Sequence, residues 1–219
     1  MEIDILEGVF DANERLAAEN ERLFREKGVF VINIMASPGA GKTSTIMHTV
    51  RALQDEMSIA VIEGDIASKV DAEKMKECGI PVVQINTGGA CHLDANMIHG
   101  ALAHLDLDSL DLIIIENVGN LVCPAEFRLG ESLKVMLLSV AEGHDKPLKY
   151  PLMFGLADVL LVNKIDMLEL TDFDMAALRE TVGSMNPNIL FFELSCRTGE
   201  GFPAWIDWLR SRLAQAGKS

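Results

Sequence analysis

The chain has 219 residues, 49% of them apolar and 24% charged, which is enough for one substantial domain and an additional arm. A formal net charge of -14 argues against a nucleic-acid binder, which needs a basic face for the phosphate backbone. Nucleotide binding stays open, because a local cradle of backbone N–H groups and one lysine suffice for it.

Residues 1–28 are rich in Glu, Arg and Asn. Val9, Phe10, Leu16, Ala17, Leu23 and Phe24 recur at seven-residue steps and form one apolar helical stripe, with Asn13 and Asn20 diluting its edge. Gly28 ends this N-terminal helical arm, which either lies against the rest of the chain or stands free to bind a partner; the first is the plainer reading. No cationic leader precedes an apolar run, and no apolar stretch reaches the roughly 18 residues of a membrane span. A soluble, cytoplasmic protein with reduced thiols is expected, with no membrane and no nucleic acid among its partners.

From residue 29 to residue 219 apolar runs alternate with helical segments. The runs are 29–36, 58–64, 81–86, 112–117, 133–140, 158–164 and 188–195; helices fit at 42–55, 68–78, 94–104, 171–185 and 201–216. Short apolar runs separated by helices predict an α/β fold, a mostly parallel sheet covered on both faces, behind the N-terminal helix. In such sheets the active loops leave the carboxyl ends of the strands, so the loops after 36, 86, 116 and 163 are expected to meet on one face.

The first of these loops, SPGAGKT at 37–43, is a P-loop in which Ala36 stands where the first glycine is usual. Gly39, Ala40 and Gly41 let the backbone curl its N–H groups around phosphates, and Lys42 adds a point charge. Thr43 offers a hydroxyl to Mg²⁺, and Ser44 follows it into the helix. Glu116, after three isoleucines, fits the acid that completes a magnesium site, directly or through water. Asp65, on a switch-like loop, is a second candidate for Mg²⁺, and Asp71 a weaker one.

NKID at 163–166 and SCRTG at 195–199 point to guanine. The Asp166 carboxylate suits the N1–H and N2 amino donors of that base, where adenine would leave it unpaired. Asn163 is expected to read the base edge, Lys164 to pack along its face, and the backbone near Ser195 and Cys196 to meet the guanine oxygen. The nucleotide is read as GTP.

Cys91 and His92 lie in the loop after 81–86, and Cys123 in the loop after 112–117. Two thiolates and one imidazole suit Ni²⁺ or Zn²⁺ rather than Mg²⁺. Their shared face favours a metal site over small buried cysteines and a satisfied histidine; water or a second subunit would complete the coordination. Cys78 reads as structural, His99 and His104 as surface or core residues, and Cys196 as part of the base loop. His144, Lys146 and Lys149, in 142–151, form either a solvated loop or an approach to phosphate.

Taken in order, ASPGAGKT, EGDIASKVDAEK, NTGGACHLDA, IIENVGNLVCPAEFRLGE, DKPLKYPLMF and NKIDML resemble the HypB family of hydrogenase nickel-incorporation GTPases, within the P-loop GTPases of metallocentre assembly. The resemblance spans roughly residues 29–217, and ENVGNLVCP and DKPLKYP are its most specific parts. It implies a cytosolic GTPase that assists nickel delivery to the precursor of the [NiFe]-hydrogenase large subunit. It further implies a homodimer promoted by GTP, a zinc-binding accessory protein as partner, and a metal site on the nucleotide domain. Matched motif by motif, Cys91, His92 and Cys123 are its ligands; Lys42, Thr43 and Glu116 take phosphate and Mg²⁺; Asp65 is a switch residue; Asn163, Lys164 and Asp166 take guanine.

Some members of that family carry a cysteine-rich or histidine-rich N-terminal nickel motif; residues 1–28 hold neither Cys nor His, so the expected metal site is the one on the nucleotide domain. No obvious catalytic glutamine follows Glu116 to position the attacking water, so slow intrinsic hydrolysis is expected if no partner supplies the missing group. The rivals are a related GTPase serving urease or a cobalamin-dependent enzyme, a metal-binding adaptor that uses GTP only structurally, and a GTPase switch with buried thiols and no metal.

Overall fold

The structure is a computed structural model and describes residues 5–64 and 79–216. Asp65, Asp71, Cys78 and the helix expected at 68–78 lie outside the described residues. Seven strands form one parallel sheet: β1 Phe30–Ala36, β2 Ile59–Glu63, β3 Val82–Gln84, β4 Leu112–Glu116, β5 Leu133–Ser139, β6 Val159–Asn163 and β7 Leu190–Glu193. Their order is β3-β2-β4-β1-β5-β6-β7, with β1 between β4 and β5. Every strand expected from an apolar run is present. The central ones are buried on both faces, which is why they read as continuous Val, Ile and Leu.

Helix α1, Ile5–Lys27, precedes the sheet, and α2, Lys42–Leu53, follows the phosphate loop. Helix α3, Ala95–Leu102, is shorter than the 94–104 expected because Asp94 caps it through the Met97 N–H. The segment expected as one helix from 171 begins only at Met175, as α7, Met175–Met185; Asp174 is its cap. Three short helices fall outside the helical segments expected from the sequence: α4 Cys123–Glu126, α5 Lys146–Lys149 and α6 Pro151–Leu156. Each has a proline in its first turn, where the missing N–H costs nothing. Helix α8, Phe202–Ala216, closes the described chain.

Helices α2 and α8 cover one face, where the fully buried Trp205 donates to the Thr49 hydroxyl at 3.1 Å. On the other face Phe24 of α1 packs with Ile98 and Leu102 of α3 under β2 and β4. Asn13 and Asn20 do not dilute the edge of the α1 stripe. They are buried in it, Asn13 joining Arg128 O and the Ala95 N–H, and Asn20 joining Ala95 O and Leu129 O. These bonds satisfy backbone groups that would otherwise be stranded under the helix.

Candidate functional site

Strand β1 delivers the chain to the phosphate loop at the middle of the sheet, and α2 leaves it. Gly39 and Gly41 have φ of 77° and 105°, a region closed to most side chains, and a Cβ on Gly41 would stand 2.4 Å from Asn163 Nδ2. The loop therefore turns tightly enough to aim N–H groups inward. The first turn of α2 holds no acidic residue, which keeps its positive end open to an anion. Lys42 is buried within it and Ser44 is exposed. Across the cradle the Thr43 hydroxyl donates to Glu116 Oε1 at 2.9 Å.

Glu116 is 1% exposed at the end of β4. A hydroxyl and a carboxylate are the hard oxygen donors that Mg²⁺ prefers, so Thr43 and Glu116 fit that ion. Glu63, equally buried and in register with Glu116 across the β2–β4 pair, escaped the sequence reading. Its signal was an acid ending an otherwise apolar run, overshadowed by the neighbouring Asp65.

The base loops lie on the other side. Asn163, expected to read the base edge, is 1% exposed and engaged inside the protein. Its Nδ2 donates to Ala40 O at 2.9 Å, and its Oδ1 accepts from the Cys196 N–H at 3.1 Å and the Lys164 N–H at 2.7 Å. Asn163 thus staples the phosphate loop to the base loop, and the Cys196 N–H points to that staple. Lys164, with φ of 64°, extends over the cleft to donate to Gly39 O at 2.8 Å. Asp166 accepts from the Ser195 hydroxyl at 2.5 Å and pairs with the exposed Arg197 guanidinium at 3.2 Å. Ser195 also accepts from the Arg197 and Thr198 N–H groups, which fixes the loop beneath Asp166. Burial pushes the Cys196 thiol up, and its Sγ rests 3.3 Å from the Thr45 hydroxyl.

Next to the phosphate cradle, Cys91, His92 and Cys123 present their ligand atoms within 4.8 Å of one another. The two sulfurs are 2.9 Å apart, and His92 Nδ1 is 3.7 Å from Cys91 Sγ. A metal about 2.3 Å from each sulfur spreads a tetrahedral pair to about 3.8 Å, an opening of roughly 1 Å. The donor set is soft and half-exposed, so it fits Ni²⁺ or Zn²⁺ and is open to exchange. Burial holds the His92 imidazole below its ordinary pKa, hence neutral and ready to ligate, although Asp94 and Glu126 oppose this. The hydrogen bond with Cys91 and then burial raise the Cys123 thiol.

Three residues that sequence reasoning missed hold the two ligand loops together. Asn117 is fully buried; its Oδ1 accepts from the Leu93 N–H at 3.1 Å and the Val118 N–H at 2.9 Å, and its Nδ2 donates to Asn33 Oδ1 at 3.1 Å. Asn120 donates to Cys91 O at 3.3 Å. Phe127 stacks on the His92 ring with centroids 3.9 Å apart. The loop from Glu116 to Cys123 also touches the phosphate loop, since a Cβ on Gly119 would lie 3.0 Å from Pro38. By contrast, the 142–151 segment is engaged within its own neighbourhood. Lys149 pairs with Asp145, Lys146 lies over Tyr150, and His144 accepts from the Asp174 N–H. His99 meets Asn20 rather than a thiol.

A chain that joins a phosphate cradle to one cysteine of a thiol–imidazole cluster through one short loop is a P-loop nucleotide-binding protein with side chains able to hold a soft metal ion. Comparison with known proteins narrows this. Residues 30–193 match the CobW/HypB/UreG nucleotide-binding domain family. The hydrogenase maturation factor HypB of Azotobacter vinelandii is 49% identical over 205 residues, 94% of this chain and 68% of that protein. The crystal structure of HypB from Archaeoglobus fulgidus superposes with a TM-score of 0.88 at 40% identity, covering 93% of this chain and 99% of that one. HypB from Helicobacter pylori, solved in complex with nickel, gives 0.88 at 37% identity, over 95% of this chain and 98% of that one. The chain belongs to the CobW/HypB/UreG family, and within it to the HypB hydrogenase maturation factors.

Proposed function

We propose that this protein is a GTP-hydrolysing metallochaperone that assists nickel insertion into [NiFe]-hydrogenase precursors. The carrying observation is the short path between its two sites. Thr43 reaches Glu116, Asn117 follows Glu116, and the Asn117 carboxamide holds the Leu93 N–H, one residue from His92. The nickel complex of the Helicobacter pylori relative and the maturation role of the Azotobacter vinelandii relative support the same reading.

In this mechanism the backbone of the 37–43 loop and Lys42 hold the β- and γ-phosphates, and Asp166 selects guanine. Thr43 and Glu116 would hold Mg²⁺, which supplies charge neutralisation at the transferred phosphate. Asp65 takes a switch role. Cys91, His92 and Cys123 take Ni²⁺ as cargo, with Zn²⁺ as the competing ion. Hydrolysis would relax Glu116 and the loop that follows it, moving Cys123 at the far end of residues 117–123 and lowering metal affinity. GTP promotes a homodimer, and a zinc-binding accessory protein and the hydrogenase large-subunit precursor stand on either side of the handover. Residues 1–28 form an arm and 29–219 the nucleotide domain, working in the cytoplasm; among the described residues no helix is long and apolar enough to cross a membrane.

The test is a nickel titration of the apo, GDP and non-hydrolysable-GTP forms with mass recorded alongside, and phosphate release by wild type and Lys42→Ala. Nickel affinity and mass should depend on the nucleotide, and Lys42→Ala should lose turnover. Equal turnover in the two proteins would remove the hydrolysis claim, and nucleotide-independent affinity the coupling claim.

A further inference from the structure

Helix α1 is joined to the metal cluster more closely than its distance in sequence suggests. Asn13 holds Arg128 O and the Ala95 N–H, each at 2.9 Å. Asn20 holds Ala95 O at 2.9 Å and Leu129 O at 3.1 Å. The Arg128 guanidinium forks to Glu14 and Glu21 at 3.0 and 2.8 Å. The segments that follow His92 and Cys123 are therefore both fastened to one face of the same helix.

On that face an aromatic file runs from the helix to the ligand. The Phe10 ring lies 5.1 Å from the Phe127 ring, and Phe127 lies 3.9 Å from the His92 ring at an interplanar angle of 25°. Phe127 is half-buried rather than part of the core, and it acts as a plate between helix and imidazole. A histidine at a half-exposed site has two free side-chain torsions, and ordering them on metal binding costs conformational entropy. A ring held flat against Phe127 has lost that freedom already, with Nδ1 on the side of the two sulfurs.

We infer that Phe127, backed by Phe10, is a positioning residue for His92, so that the N-terminal helix is a working part of the metal site. This rests on Cys91, His92 and Cys123 being the soft-metal ligands. Neither aromatic ring touches the metal; both act through the imidazole, as outer partners of metal ligands do when they set ring orientation.

The experiment uses the full chain and Ni²⁺ alone, followed by competition titration and by the thiolate-to-nickel charge-transfer absorption. The proteins are wild type, Phe127→Leu, Phe127→Tyr, Phe10→Ala and Cys91→Ala, with GDP affinity and a thermal melt measured on each. Phe127→Leu should weaken nickel binding by about tenfold, the scale of outer-partner losses, and shift the charge-transfer band. Phe127→Tyr should restore both, Phe10→Ala should lose affinity in the same direction but less, and GDP affinity should stay within about twofold of wild type. Phe127→Leu binding nickel as wild type does, or losing GDP and nickel affinity in parallel, overturns the inference. Cys91→Ala binding nickel like wild type overturns the metal-site reading itself, and the inference with it.

Discussion

Replacing Asn117 by alanine separates the two sites most directly, because its carboxamide bonds to the Leu93 N–H from the position next to Glu116. The side chain is fully buried and makes three hydrogen bonds. Alanine orphans the Leu93 N–H and Asn33 Oδ1; Val118 N–H is adjacent and readjusts locally. Two buried polar groups left without partners cost about 1–3 kcal/mol each, so the variant should lose about 2–6 kcal/mol. A domain of ordinary stability, about 5–15 kcal/mol, still folds under that loss at low temperature. Urea denaturation measures the first number. Nickel titration with and without a non-hydrolysable GTP analogue measures the second: the nucleotide-dependent shift in nickel affinity should vanish, while the analogue itself still binds. A variant that loses less than about 1 kcal/mol, or that keeps the full shift, refutes the assignment of Asn117 as the link.

Three further outcomes follow from the same geometry. Gly119→Ala drives a Cβ to 3.0–3.2 Å from Pro38 Cγ, N and Cα; overpacking of about 1–3 kcal/mol should weaken GDP binding by about tenfold, and unchanged calorimetric affinity would place the loop away from the nucleotide. Arg197→Ala frees Asp166 from an ion pair at 3.2 Å whose guanidinium is exposed, and pairs screened by solvent in this way are worth about 0.2–1 kcal/mol, so GDP should bind up to about fivefold tighter; weaker binding would make Arg197 a base contact instead. Nickel affinity should rise with pH, because the Cys123 thiol is held above its ordinary range by its bond with Cys91 and must lose a proton to ligate, while burial already keeps His92 neutral at pH 7. The gain is about tenfold per pH unit for each proton displaced, and a flat profile from about pH 6.5 to 8.5 would exclude thiolate ligation.

What was legible in the sequence was what local spacing carries. The phosphate loop could be read because strand, glycines, lysine and helix are consecutive, and the Cys91, His92 and Cys123 cluster because parallel topology sends both loops to one edge. What was not legible depends on partners far away in the chain. Asn13 and Asn20 looked like flaws in an apolar stripe, yet their backbone partners lie 75 to 115 residues downstream. Asn163 belongs to a motif that names a base, but its position beneath Ala40, 123 residues earlier, makes it a brace. Phe127 gave no signal at all, since an aromatic residue after a short helix is indistinguishable from core until its neighbour is known to be His92. The proline-started helices α4, α5 and α6 were missed because a single turn shows no periodicity.

The route between the sites also limits what it can transmit. Among the described residues it includes the Thr43–Glu116 bond, the buried Asn117 carboxamide, the Asn120 bond to Cys91 O and the contact of Gly119 with Pro38. Connections of that size carry coupling free energies of about 1–3 kcal/mol, or roughly 5–150-fold in affinity. By linkage, whatever factor the GTP analogue applies to nickel affinity, nickel must apply to the affinity of the analogue. Titrating the analogue into the nickel-loaded and metal-free proteins supplies the second factor independently. Two equal factors within that range mean that the titrations close one thermodynamic cycle at a fixed number of subunits. Unequal factors mean that the titrations are not closing one thermodynamic cycle, as when nucleotide changes the number of subunits between them, and mass recorded at each titration point tests that.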